Sequence, residues 1–230
     1  MRAMTTNPNA NAMDGDTFVA RLDEEVGAML TRLGQMSAAG DAPEELTVER
    51  LLRLALKNEL EATELAATWL ATTAELEVKL ALARQCGDEA KHYRMIVERL
   101  NAMGVDAEGI DPRLGGYSPL FEFLRSLEST PARVAAGQFA REGLALVRNQ
   151  AFIEFCEARG DQETAALYRE VIQPDERHHH ELGRRLLARY AITVADQQVA
   201  HDAARRTLEL AEEVQEMARM KAGISRAPGC

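Results

Sequence analysis

Aromatic residues make up only 5% of the 230 residues, and long β-branched runs are missing, while Ala, Leu, Glu and Arg dominate. Such a composition favours helix and leaves little from which to build a sheet, so an all-β or doubly wound fold is close to excluded. Cysteine is scarce: Cys86, Cys156 and Cys230 are an odd number without a CxxC spacing. They suit neither a disulfide framework nor a thiolate zinc site and read as reduced thiols. Clustered positive charge is also absent, with 27 Lys+Arg against 37 Asp+Glu and a net charge of −10. The densest basic group, Arg184-Arg185 with Arg189, is too small for phosphate binding, which argues against a nucleic-acid partner. No stretch reaches the roughly 18 consecutive apolar residues of a spanning helix, and the N-terminus has no basic segment leading into an apolar one. No membrane association is expected, and the expected location is cytoplasmic. GxGxxG and flavin fingerprints are missing as well.

What the sequence does hold is long helical periodicity. Residues 1–15 are polar and aperiodic and read as a disordered leader; residues 16–230 read as a single helical domain. A first amphipathic helix is expected over 16–36, ended by the Ala-Ala-Gly-Asp-Ala-Pro stretch at 38–43. Over 47–73, Leu52, Ala55, Leu56, Ala62, Ala66 and Leu70 recur at three- and four-residue steps and form one face of a long helix. A second long helix over 74–103 turns Val78, Leu82, Cys86, Tyr93, Ile96 and Leu100 inward and stops at Gly104. The tight join between them implies an antiparallel pair. A glycine-rich crossover at 104–117 leads through a short helix at 119–127 to Ser129-Thr130-Pro131, which caps a third long helix over 131–159. Gly160-Asp161 separates it from a fourth at 162–190. A final helix over 194–221 carries a polar first half with His201 and a stripe of Leu208, Ala211, Val214 and Met217. That stripe suits either a cover for the bundle or a homodimer contact.

The chemistry repeats with the helices. Asp88-Glu89-Ala90-Lys91-His92 lies on the second long helix, and Asp175-Glu176-Arg177-His178-His179 on the fourth. Glu and His at i and i+3 share one helix face, so a carboxylate oxygen and an imidazole nitrogen can reach one metal ion. With 11 Asp, 26 Glu and 5 His, random order would give the Asp-Glu-x-x-His pattern roughly 0.03 times per chain, and it occurs twice. The first helix of each pair adds a glutamate on its inward face. Glu59 lies among Leu52, Ala55, Leu56, Ala62 and Ala66, and Glu142 lies among Ala135, Phe139, Ala145, Leu146 and Asn149. An unpaired buried carboxylate costs several kcal/mol, so two of them on core faces call for cations opposite.

Four glutamates and two histidines on four facing helices resemble the ligand set of the ferritin-like di-iron and di-manganese carboxylate superfamily, over residues 47–190. The resemblance implies an all-α fold, a ferritin-like four-helix bundle with a crossover connection and extra N- and C-terminal helices. It also implies metal ligands Glu59, Glu89, His92, Glu142, Glu176 and His179. Two Fe ions, or Mn or a mixed pair, would be bridged by Glu89 and Glu176, with Glu59 and Glu142 terminal. Asp88 and Asp175 would each orient the histidine of the opposite motif. The duplicated motif looks more like the rubrerythrin, bacterial multicomponent oxygenase and aldehyde-deformylating oxygenase branches than like storage ferritins. It departs from the common Glu-x-Arg-His form, since His178 stands where that arginine would be.

Several positions have plainer readings. Glu61 and Glu64 compete with Glu59, and Glu142 can instead pair with Arg84 or Arg148. His180, one turn from Glu176, is an alternative to His179 within the run His178-His179-His180. Pro174 either kinks the fourth helix beside its ligand or marks the start of a new segment. Cys86, Tyr93 and Trp69 read as packing residues and His201 as a surface residue. The leading functional expectation is a di-iron oxidoreductase that uses O2 to oxidise a small, apolar organic substrate. Its electrons would come from an external donor such as a ferredoxin or a reductase, because the chain carries no redox motif of its own. The alternatives are peroxide detoxification of the rubrerythrin or manganese-catalase kind, a ferroxidase or iron-binding protein, and a bundle that has lost its metal.

Overall fold

A computed structural model describes residues 12–38, 45–224 and 227–229, and every regular element in it is a helix, with no strand among the described residues. Most of the expected leader, residues 1–11, lies outside the described residues, as do positions 39–43 of the expected stop. Helix α1, Gly15–Ala38, begins where polar sequence gives way to Phe18, Val19, Leu22, Val26 and Leu33, all buried. Helix α2, Val48–Thr72, is started by Thr47, whose hydroxyl accepts from the Arg50 N–H. Three residues separate it from α3, Leu76–Ala102, and so short a join lays the two side by side in opposite directions. The α3 stop is the expected one: Gly104, at φ +83, lets the Val105 N–H turn back to the Leu100 carbonyl at 3.0 Å.

The crossover carries α4, Pro119–Arg125, whose cap Ser118 accepts from the Phe121 N–H while donating to Glu61 at 2.6 Å. Helix α5 runs without interruption through Thr130–Val134, a π-helical stretch Ala135–Arg141 and Glu142–Ala158. Helix α6 does the same through Gln162–Leu167, the π-helical Tyr168–Ile172 and Gln173–Tyr190. Asp161 caps α6, and Arg99 of α3 grips that cap by bonding both Asp161 and Thr164 at 2.8 Å. Pro174 therefore begins no new helix. Its ring would press on the Glu170 carbonyl one turn back, and that turn belongs to the π stretch, whose wider winding makes room.

Two helical hairpins, α2 with α3 and α5 with α6, face each other, and α3 touches α6 along the helices that carry the two motifs. Gly183 of α6 lies so close to the π stretch of α5 that an added Cβ would sit 2.7 Å from the Gln138 carbonyl carbon. The last helix, α7, Val194–Ala222, starts with a capping box of Thr193 and Asp196 and lies across α1, α4 and the start of α5. Its packing face differs from the expected stripe. Ala200, Ala203, Ala204, Thr207, Leu208 and Ala211 are buried, whereas Met217 is exposed. Alanines at four of these positions let the helix approach closely beside the buried Leu208 and Leu210.

The apolar interior falls into two clusters. One gathers Leu65, Trp69, Leu82, Phe139, Leu144 and Leu186, and the other Leu52, Leu56, Ile96, Phe152, Tyr168 and Ile172. On each of the four long helices a buried glutamate, Glu59, Glu89, Glu142 or Glu176, stands between residues of the first cluster and residues of the second. The helices thus enclose one charged layer between two apolar ones. Among the described residues no helix is long and apolar enough to cross a membrane.

Candidate metal centre

The six residues singled out from the motifs meet in that layer. Glu59, Glu89, His92 and Glu176 each bring one ligand atom within 4.8 Å of the others, and so do Glu89, Glu142, Glu176 and His179. Glu89 and Glu176 belong to both groups. All six residues are buried, the most exposed, Glu59, at 3%. Each group offers carboxylate oxygens and one imidazole nitrogen with no sulfur, a donor set for a hard or borderline divalent cation.

The histidines are aimed by groups outside the cluster. His92 Nε2 is 3.1 Å from Asp175, and His179 Nε2 is 3.1 Å from Asp88, so each motif's aspartate holds the other motif's imidazole. An ionised aspartate only accepts, which places the proton on Nε2 and turns Nδ1 inward. His92 Nδ1 then lies 3.4 Å from Glu89 and 3.5 Å from Glu59, and His179 Nδ1 lies 3.5 Å from Glu176. Lys91 reaches both aspartates, bonding Asp175 and standing 3.8 Å from Asp88.

Without a cation, the cluster balances its charge with protons. Burial pushes Glu59 up to about 7, and the neighbouring Glu89 adds to this. Burial, then the charges of Glu89 and Glu142, push Glu176 well above the usual carboxylate range. Burial would raise Glu89 too, but His92 and His179 outweigh it and hold Glu89 down at about 2. Burial opposes charge on His92, yet Glu59 and Glu89 carry it up to about 12, and His179 rises in the same way beside Asp88, Glu142 and Glu176. Among the buried side-chain atoms without a hydrogen-bond partner are four of the cluster: Nδ1 of His92, Nδ1 of His179, Oε2 of Glu142 and Oε2 of Glu176. All four belong to the two groups, and unsatisfied buried donors and acceptors of this kind are what a bound cation would complete. The residues fit a metal.

The plainer readings separate on partners. Glu61 is buried but spoken for, since both its oxygens hold Ser118 of the crossover. Glu64 is only half-buried, on the Tyr117 side. Arg84 binds Asp88, and Arg148 binds Gln215 and the Ala211 carbonyl, while Glu142 takes its bond from Gln85. His180 turns away to the Phe139 carbonyl at 2.8 Å and stacks on that ring; His178 is half-buried at the edge; His201 pairs with Glu25 near the surface.

Four features escaped the sequence reading. Gln85 donates to Glu142 Oε1 at 2.5 Å, and Gln138 donates to Gln85 at 3.3 Å, a buried amide chain behind the second group. Both amides sit one turn before a glutamate of the cluster, Gln85 before Glu89 and Gln138 before Glu142, and that spacing was the available signal. Arg141, also buried, stands 3.9 Å from Glu142. The two π stretches end directly before Glu142 and one turn before Glu176, where each changes the rotation of the helix that delivers the carboxylate. Comparison with protein-family models and with curated proteins finds no match for this chain.

Proposed function

We propose that the protein is a ferritin-like, carboxylate-bridged binuclear metalloenzyme, a non-haem di-iron oxidoreductase that activates O2 to oxidise a small apolar organic substrate. The observation that carries this reading is the sharing of Glu89 and Glu176 by two ligand groups, each completed by its own glutamate and its own aspartate-anchored histidine. One ion per group would be held with Glu89 and Glu176 in common and would use every orphaned buried atom of the cluster. Four helices, two hairpins and the crossover between them agree with the ferritin-like arrangement. Iron suits a donor set of hard oxygens with one imidazole each; manganese shares the preference.

When bound, a pair of such ions supplies the electrons that reduce O2 or a peroxide. The chain's own residues hold Nδ1 of His92 and His179 in place through Asp175 and Asp88, and fix one oxygen of Glu142 through Gln85. The two flanking apolar clusters exclude water from the layer, which keeps an oxidising centre from spending itself on solvent. With no redox motif in the chain, electrons come from an external reductase or ferredoxin-like partner.

A second reading, peroxide detoxification, calls for only a small polar access route, and the cavity beside Arg141, lined by Glu61, Ser118, Leu65 and Phe121, has about 10 Å³, the size of a single water. Both readings are tested by elemental analysis of protein expressed with iron or with manganese, followed by mixing the reduced form with O2 or peroxide. Two irons per chain with O2 consumption support the oxygenase; two manganese ions with rapid peroxide turnover support detoxification. A chain without bound metal under either condition overturns both.

A further inference from the structure

The two sides of the cluster are closed by different means. On the His179 side, Glu142 is held from within the helices by Gln85, with Gln138 behind it and Arg141 beside it. On the Glu59 side, the cover comes from a segment beyond α7. After Gly223 ends that helix, residues 227–229 return to the body, where Pro228 and Gly229 are buried. Asn58, the residue before the ligand Glu59, donates to the Pro228 carbonyl at 2.9 Å. The Gly229 N–H donates to Asn149 Oδ1 at 2.7 Å. Asn149 is itself fully buried on α5, and its Nδ2 keeps no partner. Gly229 has φ +75, and a Cβ built on it would lie 3.5 Å from Asn58 Cβ and 3.6 Å from Glu59 Oε1. The segment therefore lies beside the ligand, in a backbone conformation that only glycine adopts without strain.

Cover and site differ in how firmly they are made. The helices around the cluster are joined by extensive apolar packing, whereas among the described residues this three-residue segment is held by two hydrogen bonds, the buried Pro228 and Gly229 and a partly buried Ala227. A short piece so attached opens more readily than the bundle does. The geometry points to a strap: residues 227–229 close the Glu59 side of the centre and set the rate at which the ion held by Glu59, Glu89, His92 and Glu176 exchanges, while the ion on the His179 side is retained independently. This rests on the binuclear reading above.

Two variants test it, the chain shortened to end at Ile224 and Gly229→Val, which strains the turn and crowds Asn58. Each is loaded with Co(II) alone, freed of excess metal and mixed with EDTA, and the loss of visible Co(II) absorption is followed in time. The wild type holds two ions per chain that leave in two phases. In both variants one phase accelerates roughly 30-fold, the factor that two net hydrogen bonds are worth, and the other is unchanged. A wild type with two ions and variants whose phases are unchanged, or accelerate together, overturns the strap and leaves the binuclear reading standing. A wild type that holds fewer than two ions overturns both. Circular dichroism of the metal-free proteins identifies a variant that fails to fold, and Gly229→Val, a single substitution in the strap, decides the matter if the shortened chain does.

Discussion

Glu59→Gln separates what the cluster costs the fold from what it contributes to metal binding. Burial carries Glu59 from its ordinary 4.5 up to about 7, so between those values the folded chain keeps a proton that the unfolded chain has released. Stability therefore falls as pH rises through that window. Above it the full penalty stands, and the gap is worth about 3 kcal/mol at 1.36 kcal/mol per pH unit. Glutamine has the shape of the protonated acid and does not titrate. The metal-free variant at pH 8 is expected to be more stable than the wild type by about 3 kcal/mol, a rise of roughly 6–12 °C in melting temperature for a chain of this size. At pH 5 the difference closes, because the wild-type carboxyl is then protonated in the folded state. Divalent metal at a hundredfold excess over Kd narrows the gap at pH 8 to near zero, since the wild type gains about 2.7 kcal/mol at the site where the variant has lost a ligand. Thermal melts by circular dichroism at pH 5 and pH 8, each with chelator and with metal, give all four comparisons. A chelated wild type that matches or exceeds the variant at pH 8, or a difference that ignores pH, refutes the reasoning.

Replacing Asp88 or Asp175 by alanine frees a histidine to rotate and should weaken metal binding by about 10- to 100-fold, read by competition with a chromogenic chelator. Glu89→Ala and His179→Ala should each abolish binding of two ions per chain while His201→Ala leaves it intact; two tightly held ions in both of the first variants would sink the ligand assignment. Because His92 and His179 are protonated in the metal-free cluster and Glu176 is held above the carboxylate range, loading near pH 6.5 should release at least two protons. Affinity should then rise with pH, and calorimetry in buffers of different ionisation enthalpy counts the protons. Gly183→Ala forces a methyl group against the backbone of Gln138 and Phe139 and should cost about 1–3 kcal/mol, measured by urea unfolding; an unchanged midpoint would show that α5 and α6 yield more easily than their spacing implies.

Helix positions were legible because their ends are written locally. Thr47, Ser118, Ser129, Asp161 and Thr193 each accept from the N–H three residues on, and Gly104 supplies a left-handed stop. These are signals within one turn of chain, available before any tertiary contact forms. The six clustered residues were legible for a related reason, since i and i+3 spacing fixes a shared face whatever the helix packs against. What escaped depends on partners remote in sequence. A π turn replaces an α turn only where the neighbouring helix rewards the altered rotation, and Gly137 beneath Trp69 and Gly183 against Gln138 are such contacts. The buried face of α7 mixes Ala200, Ala203, Ala204 and Ala211 with Gln197, Thr207 and only two leucines, a pattern that hydrophobic periodicity hardly registers. Glu59 and Glu61 are both buried, and only the bond from Ser118 to Glu61 distinguishes a crossover anchor from a residue of the cluster. Contacts of the Gly229 segment span 80 residues to Asn149, and nothing in three residues of Ala-Pro-Gly announces them.

The two pentads are alike at Asp, Glu and His but differ between them, and that difference has an electrostatic reading. Two residues after the glutamate stands Lys91 in the first motif and His178 in the second. Lys91 binds Asp175 and stands near Asp88, so one ammonium serves both outer aspartates. His178 adds no second cation there, because burial and then the nearby Arg84 keep its pKa below the ordinary value. Asp88 is held at about 2, chiefly by its bond to His179; Asp175 is lowered despite burial, by Lys91 and His92. Both remain ionised and keep their hold on Nε2. Inside that frame, two divalent ions would balance the four carboxylates, and neutral imidazoles would add nothing. The layer so filled would be neutral between two apolar clusters, a condition under which burying so many ionisable groups costs least. Emptied, the same layer reaches near-neutrality only by protonating its histidines and at least one glutamate, and those are the groups whose pKa values are displaced upward.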